Sequence, residues 1–440
     1  MKNRWNPILL LGIVCLCTLP PLAAQQKDKK PLLPDEAIDV SGFWEVRLGY
    51  RTRPDPYERD LTLGHTLFHI ELQKQWEKAE VRAAGDLVDD YLNHKDRRQS
   101  LRLEKGEGFF DARELNVAVS VTDFLQLRAG RQMLKWGSGD LVFINDLFPK
   151  DWNAFYSGRD EAYLRAPSDA VICTVAADDA FRLEVVYTPR FDADRYVDGR
   201  RLSYYNRSIG RVAGRDAIVR AHAPDDWFDD DEIALRILRE QDGLALALYG
   251  YDGFWKSPSD PMPITSYSGF PKLTVLGASA EGDLAGGRAN VEAGFYLSRE
   301  DRSGRDPWVP NDEFRVLAGY RFDVTESLEL GAQYYLERMM DYSAYCSAYP
   351  TAGGRLDRDR HLTTLRVTQY VAERALALSL FSAWSFSAGD AYLRPCAHYT
   401  IDDHFSIELG ANLFFGSHEE TRFGQYVRNS NVYSGFRLRF

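Results

Sequence analysis

Apolar and polar residues alternate with a period of two from one end of this chain to the other. Near the start, Trp44, Val46 and Leu48 alternate with Glu45 and Arg47. Successive side chains of a β-strand point to opposite faces, so each such run predicts a strand with one apolar and one polar side. Runs of this kind recur at 68–73, 79–87, 114–121, 125–129, 181–187, 289–297, 314–322, 328–336, 407–415 and 432–440.

The connections between these strands alternate between short and long. The short links fall at 75–76, 122–123, 178–180, 241–243, 283–287, 324–327, 372–374 and 402–404. The longer stretches fall at 53–62, 89–109, 137–161, 190–230, 255–270, 299–311, 339–360, 387–389 and 417–427. Outer-membrane barrels have this asymmetry, with short periplasmic turns and long extracellular loops. The spacing predicts about 18 strands, or about 16 if one weak pair is misread.

The repeated pattern therefore predicts an all-β fold, a transmembrane antiparallel up-and-down β-barrel. Segments of about ten residues with one apolar face suit strands that cross a bilayer at a tilt. In hydrocarbon every backbone N–H and C=O must be paired, and a closed sheet achieves this without helices. The polar face carries acids and arginines, which suit a wet lumen better than the core of a secreted β-sandwich or propeller, the alternative fold.

Composition alone points to a different class. The charged fraction of 27% and the mean hydropathy of −0.39 are those of an ordinary soluble protein. A wet lumen and long loops explain these values, because they dilute a narrow lipid-facing band. The net charge of −11 argues against a nucleic-acid partner, since binding phosphates requires a clustered surplus of Lys and Arg.

The beginning of the chain has the layout of a secretory signal peptide. A basic start at Lys2 and Arg4 precedes an apolar stretch that ends in small residues. About a dozen apolar residues is too short for a helix that spans a bilayer. We expect residues 1–24 to be a cleaved signal peptide, 25–38 a periplasmic segment and 39–440 the barrel.

Charged residues on the polar face of the strands are the candidates for a pore lining. A barrel of about 18 strands is wide enough for an aqueous channel, and both signs of charge are present, so we expect no strong ion selectivity. The alternative is that these charges only satisfy one another as ion pairs. The predicted pore-lining residues are Glu45, Arg47, Arg82, Glu114, Arg128, Arg182, Glu184, Arg236, Glu292, Arg321, Glu329, Arg366, Arg394 and Glu408.

Two long loops have unusual compositions. The loop 137–161 mixes many apolar residues with charges, so we expect it to pack against the protein, either inside the pore as a constriction or over its mouth as a cap. The loop 190–230 opens basic and closes acidic, which indicates either a divalent cation site at the surface or a solvated charge run. The charges predicted for the constriction are Asp140, Asp146, Lys150, Asp151 and Arg159.

Signals for catalysis are weak. No nucleophile-elbow, metalloprotease, P-loop or dinucleotide motif occurs, and the cysteines Cys173, Cys346 and Cys396 have no metal-binding spacing. We therefore predict no enzyme activity, no cofactor and no metal site, and leave any disulfide open. A membrane lipid hydrolase is the alternative, and it requires a serine or aspartate beside His398 or His404.

Two stretches of the sequence resemble a known family. The residues Gly130-Arg131-Gln132, Trp136-Gly137, Asp140, Asp146, Pro149 and Asp151 form one, and Tyr392-Leu393-Arg394-Pro395, Phe414-Phe415-Gly416, Asn431-Val432-Tyr433 and Phe440 belong to the other. They are similar to porin-like and alginate-export-like outer-membrane barrels of Gram-negative bacteria. Such proteins often have Asn-Pro where this chain has Phe148-Pro149, so the resemblance implies no particular solute.

The resemblance implies a cellular setting and a function. We expect a channel in the cell outer membrane for passive diffusion or export of polar or anionic solutes through the charged lumen. A plugged structural or envelope-assembly barrel is the alternative. The implied partners are outer-membrane lipid and lipopolysaccharide, a small polar or anionic solute, and the barrel-assembly machinery, which would read the terminal Phe440. The oligomeric state stays open.

Overall fold

The computed structural model describes residues 38–94, 101–259, 268–348 and 355–440. The predicted signal peptide 1–24 and all but the last residue of the predicted periplasmic segment 25–38 lie outside these ranges. The described residues are almost entirely strands and the connections between them. The first strand starts at Asp39, where the barrel is predicted to begin.

Twenty strands are assigned in the described residues, and eighteen of them form one sheet. The strands of that sheet are β1 (Asp39–Arg51), β2 (Leu61–Gln75), β3 (Ala79–Asp90), β4 (Phe110–Thr122), β5 (Leu125–Gln132), β6 (Ser168–Ala176), β7 (Phe181–Thr188), β10 (Glu232–Gln241), β11 (Leu244–Phe254), β12 (Lys272–Leu284), β13 (Gly287–Ser298), β14 (Glu313–Thr325), β15 (Leu328–Met339), β16 (Asp359–Val371), β17 (Leu376–Ser385), β18 (Asp390–Thr400), β19 (Phe405–Phe415) and β20 (Asn431–Arg439). The remaining two, β8 (Tyr204–Asn206) and β9 (Arg211–Ala213), form a separate hairpin.

The sheet closes on itself. Each strand of the barrel pairs antiparallel with its neighbours in sequence, and β7 pairs with β10 past the small hairpin. The first strand pairs with the last, with Trp44 opposite Leu438 and Tyr50 opposite Val432. The prediction of an antiparallel up-and-down barrel of about 18 strands is confirmed.

Short turns and long loops lie at opposite ends of the barrel, which we call the turn side and the loop side. Both ends of the described chain lie on the turn side, and all eight predicted short links are found there. The link after β10 is Asp242-Gly243, with positive φ at both residues, which suits the right-handed twist of a two-residue hairpin. The stretch 387–389, predicted among the longer ones, belongs to a tight connection between Ser385 and Asp390.

Helical structure in the described residues is confined to the loops. There are three short α-helices, α1 (Tyr91–His94), α2 (Trp152–Ser157) and α3 (Tyr342–Ala348), and three 3₁₀ turns, Leu103–Lys105, Glu161–Leu164 and Gly424–Asn429. None of the helices in the described ranges is long and apolar enough to cross a membrane.

The two faces of the wall differ as the alternation predicts. On β1, Leu48 and Tyr50 point outward and are about half exposed, at 51% and 54%, whereas Glu45 and Arg47 point inward and are buried. The largest buried apolar cluster lies inside the barrel, because a loop packs there. Ile144, for example, has no exposed surface.

Candidate functional site

The loop between β5 and β6, residues 133–167 and here called loop 3, folds into the barrel. Its helix α2 begins where the Asp151 carboxylate accepts a hydrogen bond from the Ala154 N–H at 2.7 Å, and ends at Gly158 with a φ of +102°. A helix of six residues is not stable alone, so contacts with the barrel wall hold it. Phe155 of α2 packs against Tyr392 on β18, with 6.1 Å between the ring centroids.

The first anchor of loop 3 is Glu292 on β13, whose side chain is 1% exposed. Its carboxylate accepts hydrogen bonds from the backbone N–H groups of Ser138, Gly139 and Asn145, and from the Ser138 hydroxyl at 2.9 Å and the Asn145 amide at 3.1 Å. In the described part of the chain no cation lies within ion-pair distance of it. The buried charge is therefore stabilised by hydrogen-bond donors of the loop.

The second anchor joins loop 3 to β15, β16 and β18. Arg366 forms a two-pronged ion pair with Asp140, at 2.6 and 2.8 Å, and also reaches Glu161 at 3.2 Å. Glu161 in turn pairs with Arg394 at 3.0 Å. Gln333 accepts from the Asp140 N–H and donates to its carbonyl, so the loop backbone is fixed at this point.

Arginines of neighbouring inward positions continue this anchor around the wall. On β20, Arg437 pairs with Asp160 of loop 3 at 2.8 Å and with Glu45 at 2.6 Å. On β1, Arg47 pairs with Glu408 at 2.8 Å. We call Arg366, Arg394, Arg437 and Arg47 the arginine row. Each member has a carboxylate partner, so the row has little unneutralised positive charge.

The five predicted constriction charges have different surroundings. Asp140 is the most exposed, with 41% of its side chain accessible. Lys150 is buried, donates to Asp146 at 3.0 Å and to the Phe148 carbonyl at 2.6 Å, and its burial lowers the pKa of its ammonium group. The Asp151 carboxylate caps the N-terminus of α2, and the Arg159 guanidinium stacks on the ring of Tyr163 in the same loop. These four charges hold the loop in shape, and only Asp140 is open to solvent.

The structure brings most of the predicted pore-lining residues into ion pairs. Arg82 lies 3.6 Å from Glu114. Arg128 pairs with Glu80. Glu184 pairs with Arg236 at 2.6 Å. Arg182 shares the inward face of β7 with Glu184, while Arg321 and Glu329 line a cavity on the turn side of loop 3. The role of these residues along a solute path stays a prediction.

Loop 3 separates two cavities in the lumen. The outer chamber, about 370 Å³, lies on its loop side, and the inner chamber, about 230 Å³, lies on its turn side. The two share no lining residue, because the loop backbone runs between them at Asp140 and Leu141. The outer chamber continues into a vestibule of about 1100 Å³, with which it shares Trp152, Tyr156 and Arg422.

The loop between β7 and β10, residues 189–231 and here called loop 4, packs over the lumen. Its Arg195 is buried and pairs with Asp111 of β4 at 2.8 Å and with Asp151 of loop 3 at 3.4 Å. Further along, the Ser203 N–H donates to Asn429, near β20. Part of the basic stretch is therefore packed rather than solvated: Arg195, Arg200 and Arg201 pair with carboxylates on other segments. Arg211 instead forms an exposed pair with Asp216 inside the loop.

The acidic end of loop 4 separates into two environments. Glu232, the first residue of β10, is buried and pairs with Lys256 at 2.6 Å, whereas Asp225 and Asp229 are exposed. In the described ranges no group of three His, Cys, Asp or Glu side chains is arranged to hold a metal ion. The three cysteines of the barrel are free thiols in the structure.

The two histidines that a hydrolase would need have other neighbours. His398 lies 3.7 Å from Glu408, and His404 is hydrogen bonded to the Arg439 carbonyl at 3.0 Å. Neither imidazole is hydrogen bonded to a serine or an aspartate in the described part of the chain, because Asp402 accepts from the backbone N–H of His404 at 2.8 Å and not from its ring. The constellation that the hydrolase alternative requires is therefore not assembled around these two residues.

Sequence reasoning missed the aromatic lining of the outer chamber. Tyr335 and Tyr392 are buried and inward-facing. Tyr335 lies two residues from Gln333, and Tyr392 two residues from Arg394, so both point to the polar, inward face of their strands. This alternation was the signal in the sequence that could have identified them. The sequence also gave no indication of Lys256 as a partner for Glu232.

Comparison with solved structures agrees with this architecture. OccD3 of Pseudomonas aeruginosa is 10% identical, with a TM-score of 0.51 and coverage of 92% of this chain and 91% of that one. Salmonella typhi OmpF, solved as a complex with daunomycin, is 10% identical with a TM-score of 0.45, covering 92% of this chain and 97% of its own. At such an identity the OccD3 likeness shows the fold alone, a closed antiparallel β-barrel. No family model and no curated protein matches the sequence.

Proposed function

We propose that this protein is a porin-like channel of the outer membrane, through which small polar or anionic solutes diffuse or are exported. One observation carries the proposal: loop 3 lies inside a closed barrel with a cavity on each of its sides. A lumen filled by packed side chains would not need the polar groups that line the inner chamber. The loop side would face the cell exterior and the turn side the periplasm.

Loop 3 would then be the constriction of the channel, and the pair of Asp140 with Arg366 would line it on the turn side. Paired charges of both signs across a narrow lumen select weakly between ions. The alginate-export-like family is the specific membership that we propose, and recognition of Phe440 by the assembly machinery and contact with lipopolysaccharide go with it. Phe440 stacks on Phe68, with centroids 5.5 Å apart and half of the side chain exposed.

Planar-bilayer recording of the purified full chain tests the proposal. We expect stepwise conductance, with a reversal potential near zero in a salt gradient. Replacing two members of the arginine row, R366Q with R394Q, should shift selectivity toward cations, because Asp140 and Glu161 lose their partners. R338Q is the matched control, since Arg338 pairs with Asp359 on the outer surface at 3.4 Å. A folded protein without conductance would contradict the proposal.

A plugged barrel is the second candidate, and the apolar cluster between loop 3 and the wall favours it. The two candidates differ in the effect of removing residues 137–161. Deletion should raise the conductance several-fold from a measurable level in a channel, but should create conductance from none in a plugged barrel. Heat-modifiable migration on a gel would verify that the deleted form still folds.

A further inference from the structure

Aromatic rings line the outer chamber from several directions. Trp152 and Tyr156 of loop 3 stack on each other, with centroids 5.7 Å apart and planes at 28°. Trp255 lies against Tyr296 of the wall at 5.6 Å. Trp152, Tyr156 and Trp255 are only partly buried, so ring surface remains open to the cavity. A chamber in a polar channel has no need of such surface unless something apolar rests on it.

The cationic side chains that line this chamber are paired within the protein, and the lining carboxylate without an ion pair among the described residues, Asp194, accepts hydrogen bonds from the Lys150 N–H, the Trp152 indole and the Ser257 hydroxyl. Lys150 pairs with Asp146 at 3.0 Å. Arg422 pairs with Glu337 at 3.0 Å. Arg315, which also lines the chamber, pairs with Glu313 at 2.6 Å. An anionic solute would find no unpaired cation among the described lining residues. A cationic solute would have to compete with three hydrogen-bond donors for Asp194, so the chamber favours a solute without net charge.

Polar groups that can still form hydrogen bonds lie beside the aromatic rings of the outer chamber. Where the chamber opens into the vestibule, Tyr426 of the vestibule lies with its ring 5.0 Å from that of Tyr156, and neither hydroxyl has a hydrogen-bond partner within the described ranges. The guanidinium of Arg422 is 45% exposed beside them. The cavity of about 370 Å³ lies within the usual range of small-molecule sites.

We propose that the outer chamber is a binding site for a neutral sugar ring on its way through the lumen. The inference rests on the proposed channel function and names the solute class. A pyranose presents C–H faces that stack on Trp152 and Trp255, and a rim of hydroxyls that exchanges hydrogen bonds with Tyr156, Tyr426 and Arg422. An aryl solute would use the rings but leave those polar groups unpaired, which costs affinity.

Block of the ion current by a neutral disaccharide tests the site. Cellobiose added on the loop side should reduce the conductance of the full-length channel in a saturable manner. We expect Y426F to weaken the block about three- to tenfold, the effect of one lost hydrogen bond. We expect W255A to weaken it about tenfold or more, because a stacking surface is lost. Trp384 faces lipid and is 47% exposed, so W384A is the matched control and should leave the block unchanged.

Equilibrium binding separates this inference from the channel function. Trp152 and Trp255 lie in the chamber, so cellobiose should change the tryptophan fluorescence of the folded protein in detergent. Y426F should shift the saturation of this change to higher cellobiose concentrations, and it leaves both tryptophans in place. A conducting protein with neither block nor fluorescence change would overturn the sugar site but leave the channel. Saturable binding without conductance would support the site and overturn the channel. Stronger block by glucuronate or benzyl alcohol than by cellobiose would also overturn the inference.

Discussion

Loops 3 and 4 both leave the wall and pack over the lumen, but different chemistry holds them in place. Loop 3 buries apolar side chains such as Ile144 and Phe155 against the wall and binds Glu292 through uncharged donors, while its ion pair between Asp140 and Arg366 is partly exposed. Loop 4 buries the guanidinium of Arg195, which pairs with Asp111 and Asp151, beside fewer apolar residues such as Phe191. Apolar composition predicted that loop 3 would pack against the protein, inside the pore or over its mouth, whereas the charges of loop 4 gave no such indication.

The difference shows that a charged loop can be as well packed as an apolar one when its partners lie on other segments. The energetic consequences differ, however. A buried ion pair becomes costly when one member is removed, because the other charge stays behind without a partner. Apolar packing is lost in smaller steps, one side chain at a time. The two loops should therefore respond differently to single substitutions.

The largest effect is expected for R195A in loop 4. Asp151 would remain buried without a guanidinium partner, and Asp111 would keep only the more distant Arg113 at 3.6 Å, at a cost of about 3–5 kcal/mol. Loop 4 should detach, and limited proteolysis of intact cells or detergent-solubilised protein should cut within 189–231 much faster than in the native chain. Unchanged cleavage would show that apolar contacts hold loop 4 as well, and the contrast with loop 3 would be lost.

The second effect is expected for E292A, which removes the acceptor for the first anchor of loop 3. Several donors of residues 138–145 would lose a charged acceptor, at a cost of about 2–4 kcal/mol to the local structure. The apolar cluster should keep the loop in the lumen but allow larger motion, so single-channel recordings should become noisier and the mean conductance should rise. E326A, on an exposed short turn, is the matched control and should leave the recordings unchanged.

A third effect concerns pH and Asp192 at the base of loop 4. Burial raises the pKa of this carboxyl to about 6, although Lys256 opposes the shift. Because the folded pKa exceeds the unfolded value near 4, the stabilisation from protonation is complete below about pH 4 and is lost as the pH rises through 6. Loop 4 should resist proteolysis better at pH 5 than at pH 7, and D192N should remove most of this difference. An identical pH profile in D192N would mean that other groups control it.

The smallest effect is expected for R211A, which removes an exposed ion pair with Asp216 inside loop 4. Such a pair contributes little to stability, since solvent and salt screen it. Proteolysis of R211A should match that of the native chain. The ratio of the cleavage rates of R195A and R211A would measure how much of the attachment of loop 4 depends on the burial of its ion pairs.

The strand number and the turns could be predicted from the sequence because both depend on local patterns. A period of two defines each strand, and Asp242-Gly243 suits one kind of tight turn. The inward positions followed from the same phase. The pairs they form did not, because Glu161 and Arg394 lie 233 residues apart and many carboxylates were available to each arginine. Tyr392 was missed because the alternation predicts which side chains point inward, but not whether the lumen at that position is lined by aromatic or by charged residues.

Closure of the barrel sets an order on its assembly. The last ladder joins Trp44 to Leu438, so the two ends of the barrel segment must meet across nearly its full length. Contacts between such distant residues form slowly, because the chain between them loses entropy first. Loop 3 with its aromatic cluster already occupies the space inside the ring. If β1 paired with β20 before loop 3 had folded inward, this bulky and partly apolar loop would have to enter the closed barrel through its open end. Early packing of loop 3 against β13–β18 would instead give the open sheet a curved template around which the remaining strands can wrap.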